Sequence, residues 1–255
     1  MPFSADVLHV LAREVAPHLR FGALNQLILE LGFDFFGFSC WTSFDHRPVL
    51  WSTFPAGWVQ NYKPRQYIDI DPRVVHCRHS ILPVFWSEEF FRSAPGMWED
   101  AQSFGLCHGW SQGAHSEGVF SILDVSRQDE RISDEEWYEK AGQVLLLCNL
   151  IHMNLADEVK RKIEALHLSE REIEVLRWSA VGKTAEEVAD ILKLSESTVN
   201  FHARNTILKL GVQNKVAAIA RAARLGLFRT RETHPSSEPV DFGRRATDWS
   251  MVSGS

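Results

Sequence analysis

Long apolar runs are missing from this sequence of 255 residues. No stretch approaches the roughly 18 consecutive apolar residues that a transmembrane helix needs, and no charged-then-apolar leader opens the chain. The cysteines form no CxxC pair, and such spacing favours buried reduced thiols over disulfides. We therefore expect a cytoplasmic protein without a membrane partner. The cysteines are Cys40, Cys77, Cys107 and Cys148.

The formal net charge of −6 is divided unevenly along the chain. Residues 1–164 carry 14 Lys and Arg against 22 Asp and Glu, whereas residues 165–228 carry 9 against 7. The length predicts two domains, each with a core of its own. The acidic excess therefore belongs to the first domain, and the second domain is mildly basic.

The N-terminal part contains both helical and strand patterns. Apolar residues recur with helical spacing over residues 1–31, and Gly32 breaks that pattern. Ser133, followed by Glu136 three residues later, is typical of the start of a long helix. This order predicts an α-β-α sandwich of the α+β or α/β class, with helices outside a central, mostly antiparallel sheet. We expect strands at 33–41, 49–54, 105–112 and 118–126, and helices at 56–66 and 133–162.

Three helix starts can be recognised in the C-terminal part. Ser169 with Glu172 and Thr184 with Glu187 both fit the capping box, in which each side chain bonds a backbone N–H of the other residue. Ser195 can cap a third helix. A closing helix completes the pattern, so we expect an all-α four-helix domain with a helix-turn-helix.

The third helix of this domain has one side suited to contacts with DNA. Asn200, Phe201 and Arg204 lie opposite its apolar side. Asn can pair with adenine, Arg can pair with guanine, and an aromatic ring can contact a thymine methyl group. The alternative is an ordinary solvated helix face, on which Asn and Arg are common. The candidates for phosphate contacts are Lys183, Thr198, Lys209 and Lys215.

A set of positions in this domain forms a recognisable family pattern. The set consists of Glu172, Leu176, Gly182, Thr198-Val199 and Lys209-Leu210. With these residues the domain resembles the LuxR/GerE class of regulators. The resemblance implies a transcriptional regulator that binds double-stranded DNA, with RNA polymerase as a further partner. A net charge of only +2 implies weak DNA binding by one copy, and therefore a homodimer.

A second pattern runs through the N-terminal part. It consists of Trp58, Tyr62, Asp71-Pro72, Trp86 and Gly109. With these residues the N-terminal half resembles the autoinducer-binding domain of LuxR-type quorum-sensing receptors. The resemblance implies that an N-acyl homoserine lactone lies between the sheet and its outer helices, and no cofactor is expected. It implies that Trp58 donates its indole N–H to the lactone carbonyl and that Asp71 accepts the amide N–H. Tyr62 and Trp86 would pack against the acyl chain and the lactone ring, with plain core packing as their alternative.

Three residues depart from the receptor pattern. Phe54 stands where many receptors carry a Tyr, Asp124 stands where a Ser or Thr is usual, and Arg73 replaces a small residue. Two neutral donors to the ligand carbonyl are thus replaced by groups of other chemistry. A buried Arg73–Asp124 pair could fill the gap, since a paired buried charge is tolerable. Alternatively Asp124 faces solvent at a strand edge.

The resemblances imply four segments along the chain. We expect a sensory domain at 1–160, a linker at 161–167, a helix-turn-helix domain at 168–228 and a disordered tail at 229–255, which is polar and aperiodic. An apolar stripe on the long helix is a candidate surface for the homodimer. Its residues are Val144, Leu147, Leu150 and Ile151.

Other classes of protein fit the sequence less well. His76 and His79 with Cys107 and Cys40 could suggest a metal site, but no second well-spaced ligand pair follows. A Cys/His hydrolase would need a base and an orienting residue that the sequence does not identify. A phospho-receiver domain would need an acidic cluster and a matching Lys, and the N-terminal half of this sequence shows neither. The main alternative within gene regulation is an orphan receptor of this family that senses a non-lactone metabolite or a partner protein.

Overall fold

A computed structural model describes residues 5–12, 16–44 and 48–228. The predicted tail at 229–255 and residues 13–15 of the predicted first helical stretch lie outside these segments. The helices are α1 Ala5–Ala12, α2 Pro17–Glu30, α3 Ala56–Tyr62, α4 Pro72–Cys77, α5 Pro95–Ser103, α6 Asp134–Glu164, α7 Glu170–Ala180, α8 Ala185–Leu192, α9 Glu196–Lys209 and α10 Lys215–Arg224. The strands are β1 Phe35–Thr42, β2 Val49–Ser52, β3 Val84–Phe85, β4 His108–Ser116 and β5 Val119–Arg127. Two 3-10 turns cover Tyr67–Asp69 and Phe90–Ser93.

The strands form one sheet in the order β2-β1-β5-β4-β3, and every neighbouring pair is antiparallel. The predicted central antiparallel sheet is confirmed. Its register aligns Gly37, Asp124 and Ser111 in one row across β1, β5 and β4. Side chains of one row that point to the same face are neighbours. Because β1, β5 and β4 are the three inner strands, this row lies at the centre of the sheet, where it can position a buried site.

The two faces of the sheet have different partners. Leu123 and Val125 of β5 belong to the main core, which α2 and α6 cover. Ile122 points the opposite way and packs with Val74 and Cys77 of α4. This alternation of side chains is the period-2 pattern of a strand. Helices thus cover both faces, as the α-β-α sandwich predicted, and Cys77 is buried as expected.

Several boundaries differ from the prediction. β4 begins at His108 because Gly105, with φ of +81°, still belongs to the turn that follows α5. Helices α4 and α5 were not predicted. Both begin with proline in the first helical position, which is a helix-start signal in each sequence.

The long helix α6 has the predicted cap, because the Ser133 side chain accepts the Glu136 backbone N–H at 3.2 Å. The helix continues to Glu164, so the first part of the predicted linker is helical. The prediction of a dimer stripe on α6 is wrong, since Val144, Leu147 and Ile151 are fully buried in the domain's own core. A helix stripe that covers a sheet cannot also meet a partner subunit. The apolar residues exposed on α6 are Tyr138, Leu145, Leu146 and Met153.

The C-terminal domain is the predicted four-helix unit. Both capping boxes are complete, and Ser195 caps α9 through the Thr198 backbone N–H. The inner side of α9 contributes Val199 to one small core, shared with α7 and α8. Among the helices of the described segments, none combines the length and apolar character that crossing a bilayer requires.

Candidate ligand site and DNA-binding face

Asp71 is fixed by the start of α4. Its side chain caps the helix and accepts the Arg73 backbone N–H at 2.9 Å, while Pro72 occupies the first helical position. An Asp at this position satisfies a backbone donor that the helix leaves unpaired. Capping also orients the carboxylate toward the face of the sheet that α4 covers. Local sequence therefore determines where this charge lies.

The Asp71 carboxylate receives a dense set of donors. Arg73 Nε lies 3.0 Å from Oδ1, and Arg73 Nη2 lies 2.7 Å from Oδ2. Tyr62 donates its hydroxyl to the same Oδ2 at 2.7 Å. Asp71 is 1% exposed and Arg73 is 5% exposed. The two form a buried, bidentate and charge-assisted pair.

Asp124 extends this network across the sheet. Its Oδ1 accepts the Ser111 hydroxyl at 2.5 Å, and Ser111 Oγ accepts the Trp86 indole N–H at 2.9 Å. Its Oδ2 lies 3.5 Å from Arg73 Nη1. Asp124 is buried, so the Arg73–Asp124 pair is confirmed and the solvent-facing alternative is wrong. Trp86 has a polar contact besides its packing.

The charges of the network affect one another's protonation. Burial acts to lower the pKa of Arg73, but Asp71 and Asp124 outweigh it and raise that pKa, so the guanidinium stays charged. Burial raises the pKa of Asp124 to about 6, against the opposing effects of Arg73 and Ser111. Burial also raises the pKa of Tyr62, whose neutral hydroxyl remains a donor. The network therefore contains one firmly charged cation between two carboxylates.

Aromatic rings enclose the polar network. The Arg73 guanidinium carbon lies 5.0 Å from the Trp86 ring centroid, within the range of a cation–π contact. Trp58 is buried, stacks on Tyr67 at 5.7 Å and meets the Tyr62 ring edge-on at 5.6 Å. The arrangement joins an apolar wall to a few oriented polar groups, as small-molecule sites do.

Phe54 closes the site beside the central row of the sheet. A Cβ added to Gly37 would lie 2.6 Å from the Phe54 ring, so the glycine lets this ring pack closely against the strand. The residues predicted to line the ligand site therefore converge on one region between the sheet, α3 and α4.

Three contributors were missed from the sequence. Ser111 joins Trp86 to Asp124, Tyr67 stacks on Trp58, and Phe91 lies 6.0 Å from the Arg73 guanidinium carbon. The position of Ser111 could have been predicted, because strand alternation places it on the same face as Gly109 and Gly113. Nothing comparable marked Tyr67 and Phe91, because their position depends on the loops around α4.

A separate cleft of about 830 Å³ lies beyond Trp86. Its wall combines aromatic residues such as Trp86 and Trp98 with acidic and basic side chains such as Glu88 and Arg131. Asp71, Arg73 and Asp124 are not among its lining residues. The cleft therefore shares Trp86 with the predicted ligand site but does not include its buried charged network.

The His and Cys side chains that could have suggested a metal site have other contacts. His76 Nε2 is 2.9 Å from the Leu82 carbonyl oxygen, and Cys77 is buried against Val74 and Ile122. Within the described segments, no three His, Cys, Asp or Glu side chains are grouped in a way that could hold a metal ion.

The outer side of α9 is free for a partner. Asn200, Phe201 and Arg204 are exposed there, with Leu208 at the same side. Phe201 is 59% exposed, which is unusual for an aromatic residue in a folded domain. The predicted base-reading residues thus share one surface.

Lys209, one of the predicted phosphate contacts, is paired within its own domain. Its Nζ donates to Glu172 Oε2 at 2.7 Å and to the His167 carbonyl at 2.8 Å, and Glu172 is buried. The Lys209 side chain is 35% exposed, but its amine is the only charged donor that the described residues give the buried Glu172 carboxylate. Lys183 pairs with Glu187 at 2.8 Å on the surface. Lys183, Thr198 and the first α10 residue, Lys215, remain candidates, because an exposed pair such as Lys183–Glu187 contributes little.

Comparison with known proteins identifies both domains. The family model described as autoinducer binding domain matches residues 20–155, and the model described as bacterial regulatory proteins, luxR family, matches residues 166–222. The chain belongs to the LuxR family. It is an autoinducer-binding transcriptional regulator with a helix-turn-helix domain, and this family consists of regulators rather than enzymes.

Relatives of this LuxR-family chain match it over most of both lengths. It is 32% identical to the transcriptional activator AnoR of Acinetobacter nosocomialis, over 82% of this chain and 91% of that protein. It is 36% identical to PhzR of Pseudomonas fluorescens, over 79% and 85%. A crystal structure of Escherichia coli SdiA superimposes with a TM-score of 0.75 at 27% identity, covering 88% and 97%.

Replacing Asp124 with Asn should change how stability depends on pH. The folded-state pKa of Asp124 is raised from 3.8 to about 6. While it is protonated, the Asp124 carboxyl contributes to the free energy of unfolding. This contribution, at most about 3 kcal/mol, is therefore lost as pH rises through about 6. Urea unfolding from about pH 4.5 to about pH 7.5 should favour the variant increasingly as pH rises. Parallel pH profiles of the two proteins would contradict this.

Replacing Lys209 with Met should destabilise the chain by about 1–3 kcal/mol, because the buried Glu172 carboxylate loses its charged donor. Unfolding of the full chain measures the change. The exposed Lys193, replaced in the same way, is the control and should have little effect. Unchanged stability together with a weaker salt dependence of DNA binding would return Lys209 to the phosphate contacts.

Proposed function

We propose that this regulator is a quorum-sensing receptor that couples an N-acyl homoserine lactone to DNA binding. The observation that carries the proposal is the buried network of Asp71, Arg73 and Asp124, enclosed by aromatic rings in the domain that matches the autoinducer-binding model. Buried polar groups beside an apolar wall suit a ligand with a polar head and an acyl chain. The helix-turn-helix domain on the same chain provides the output.

In this proposal Trp58 donates its indole N–H to the lactone carbonyl and Asp71 accepts the amide N–H. Tyr62 and Trp86 line the head of the ligand, while Phe54, Arg73 and Asp124 lie beside its amide carbonyl. Burial supports these roles, because a hydrogen bond inside a water-excluded site contributes more than one at the surface. The two buried carboxylates of the site, Asp71 and Asp124, favour a ligand that supplies hydrogen-bond donors.

A second ligand class is favoured by the departures at Phe54 and Asp124. Neither side chain, with Asp124 ionised, can donate a neutral hydrogen bond to an amide carbonyl. A solved structure of SdiA, 26% identical with a TM-score of 0.70, contains octanoyl-rac-glycerol. An acylated metabolite other than a lactone is therefore the alternative ligand.

DNA binding completes the proposal. Asn200, Phe201 and Arg204 would read bases, and Lys183, Thr198 and Lys215 would contact phosphates. A homodimer would offset the low charge of one domain, and the exposed apolar residues of α6 are a candidate surface for it. Those residues are Tyr138, Leu145, Leu146 and Met153. Function in the cytoplasm and contact with RNA polymerase belong to the same proposal.

Replacing Trp58 with Phe should weaken lactone binding by about 5- to 150-fold, because one buried carbonyl loses its donor at a cost of about 1–3 kcal/mol. Calorimetry of the purified full chain with N-octanoyl homoserine lactone measures this. Trp51→Phe is the matched control, since Trp51 packs against Phe38 on the other face of the sheet. If octanoyl glycerol binds and the lactone does not, the second ligand class replaces the first.

Replacing Arg204 or Asn200 with Ala should relax base preference by about 1–3 kcal/mol for each lost bidentate contact. Replacing Lys215 with Ala should weaken binding to all sequences alike and reduce the salt slope by about 1. Titrations with specific and random duplexes at several salt concentrations separate these effects. An equal loss on both duplexes for Arg204→Ala would exclude Arg204 from base reading.

A further inference from the structure

The acceptor positions of Asp71 are already occupied by this chain's own donors. Oδ1 accepts from the Arg73 backbone N–H and from Arg73 Nε, and Oδ2 accepts from Arg73 Nη2 and from the Tyr62 hydroxyl. An ionised carboxylate has about four lone-pair sites. A ligand amide can therefore bond to Asp71 only if one of these donors moves away.

Asp124 has the spare capacity that Asp71 lacks. Its Oδ1 takes the Ser111 hydroxyl, but among the described residues no hydrogen bond reaches its Oδ2. Arg73 Nη1 approaches Oδ2 at 3.5 Å, which is longer than the ordinary N–H···O range of about 2.7–3.2 Å. A short displacement of the guanidinium would convert this contact into a hydrogen bond.

Arg73 can make that displacement without leaving its surroundings. One edge of the guanidinium holds Asp71, and the remaining nitrogen, Nη1, faces Asp124. The rings of Trp86 and Phe91 lie 5.0 and 6.0 Å from its central carbon. Contact with a ring face has weak directional preference compared with a hydrogen bond. The cation can therefore shift along the rings while it remains paired.

We propose that Arg73 is a specificity-determining residue that exchanges Asp71 for Asp124 when the ligand binds, so that the site selects neutral acyl ligands with an amide N–H. This inference rests on the proposed function. The amide N–H replaces the donor that Asp71 gives up, and Asp124 gains the guanidinium. A ligand of the same shape that lacks the N–H leaves one acceptor position of the buried Asp71 carboxylate unfilled, which disfavours its binding.

A double-mutant cycle tests the exchange. Asp124→Asn should weaken binding of N-octanoyl homoserine lactone by about tenfold or more, because Arg73 loses its second carboxylate. In the Arg73→Thr background the same substitution should have little effect. Arg73→Thr alone should strengthen lactone binding, because it removes the competing cation. Asp69→Asn, which changes an exposed carboxylate near Asp71, is the control and should leave the Kd unchanged.

A second measurement compares the lactone with its ester analogue, in which oxygen replaces the amide nitrogen. The natural chain should prefer the amide by about tenfold or more. An equal effect of Asp124→Asn in both backgrounds would overturn the proposal, because Asp124 would then contact the ligand directly. If Asp124→Asn left the Kd for the lactone unchanged in the chain that retains Arg73, the proposal would be overturned as well.

Two further controls keep the test decisive. Far-ultraviolet circular dichroism establishes folding, and if Arg73→Thr does not fold, Arg73→Lys replaces it in the cycle. A single ammonium holds Asp71 less firmly than a bidentate guanidinium, so the effect of Asp124→Asn should shrink in that background too. If the natural chain bound neither N-octanoyl homoserine lactone nor its ester analogue, the proposed function itself would be rejected, and the exchange with it. Lactone binding without coupling in the cycle would reject the exchange alone.

Discussion

The buried guanidinium of Arg73 is the constraint on which the sensory domain depends. A charge without a partner is costly in the interior, so the fold must bring carboxylates to it. Asp71 comes from the cap of α4 and Asp124 from the middle of β5. Tyr62 of α3 donates a hydrogen bond to the Asp71 carboxylate, and Ser111 of β4 donates one to the Asp124 carboxylate. Removing one partner therefore affects elements that are distant in the sequence.

The same constraint distinguishes this site from an apolar pocket with neutral donors. Hydrogen bonds among charged groups are stronger than those between neutral ones, and they restrict which ligand groups can enter. The aromatic rings around Arg73 exclude water and at the same time contact the cation. In the proposed function, the head of the ligand would therefore meet residues that also hold the fold together.

In the C-terminal domain, helix α9 is oriented by local capping and by one long-range ion pair. Glu172 closes the capping box of α7 and also accepts Lys209 from the end of α9. Helices α7 and α9 are therefore linked through one buried carboxylate. This leaves the exposed side of α9, with Asn200 and Arg204, in a fixed orientation relative to the rest of the domain.

The sequence by itself determined the family and most of the longer elements, though not α4 or α5, because capping boxes such as Ser169 with Glu172, strand alternation and motif spacing are local signals. It also placed Trp58, Asp71 and Trp86 in one site through resemblance. Tertiary structure decided which partner each side chain meets. Lys209 binds Glu172 and the α6 stripe covers its own sheet. Such choices depend on packing between distant segments, since periodicity shows that a face is buried but not what buries it.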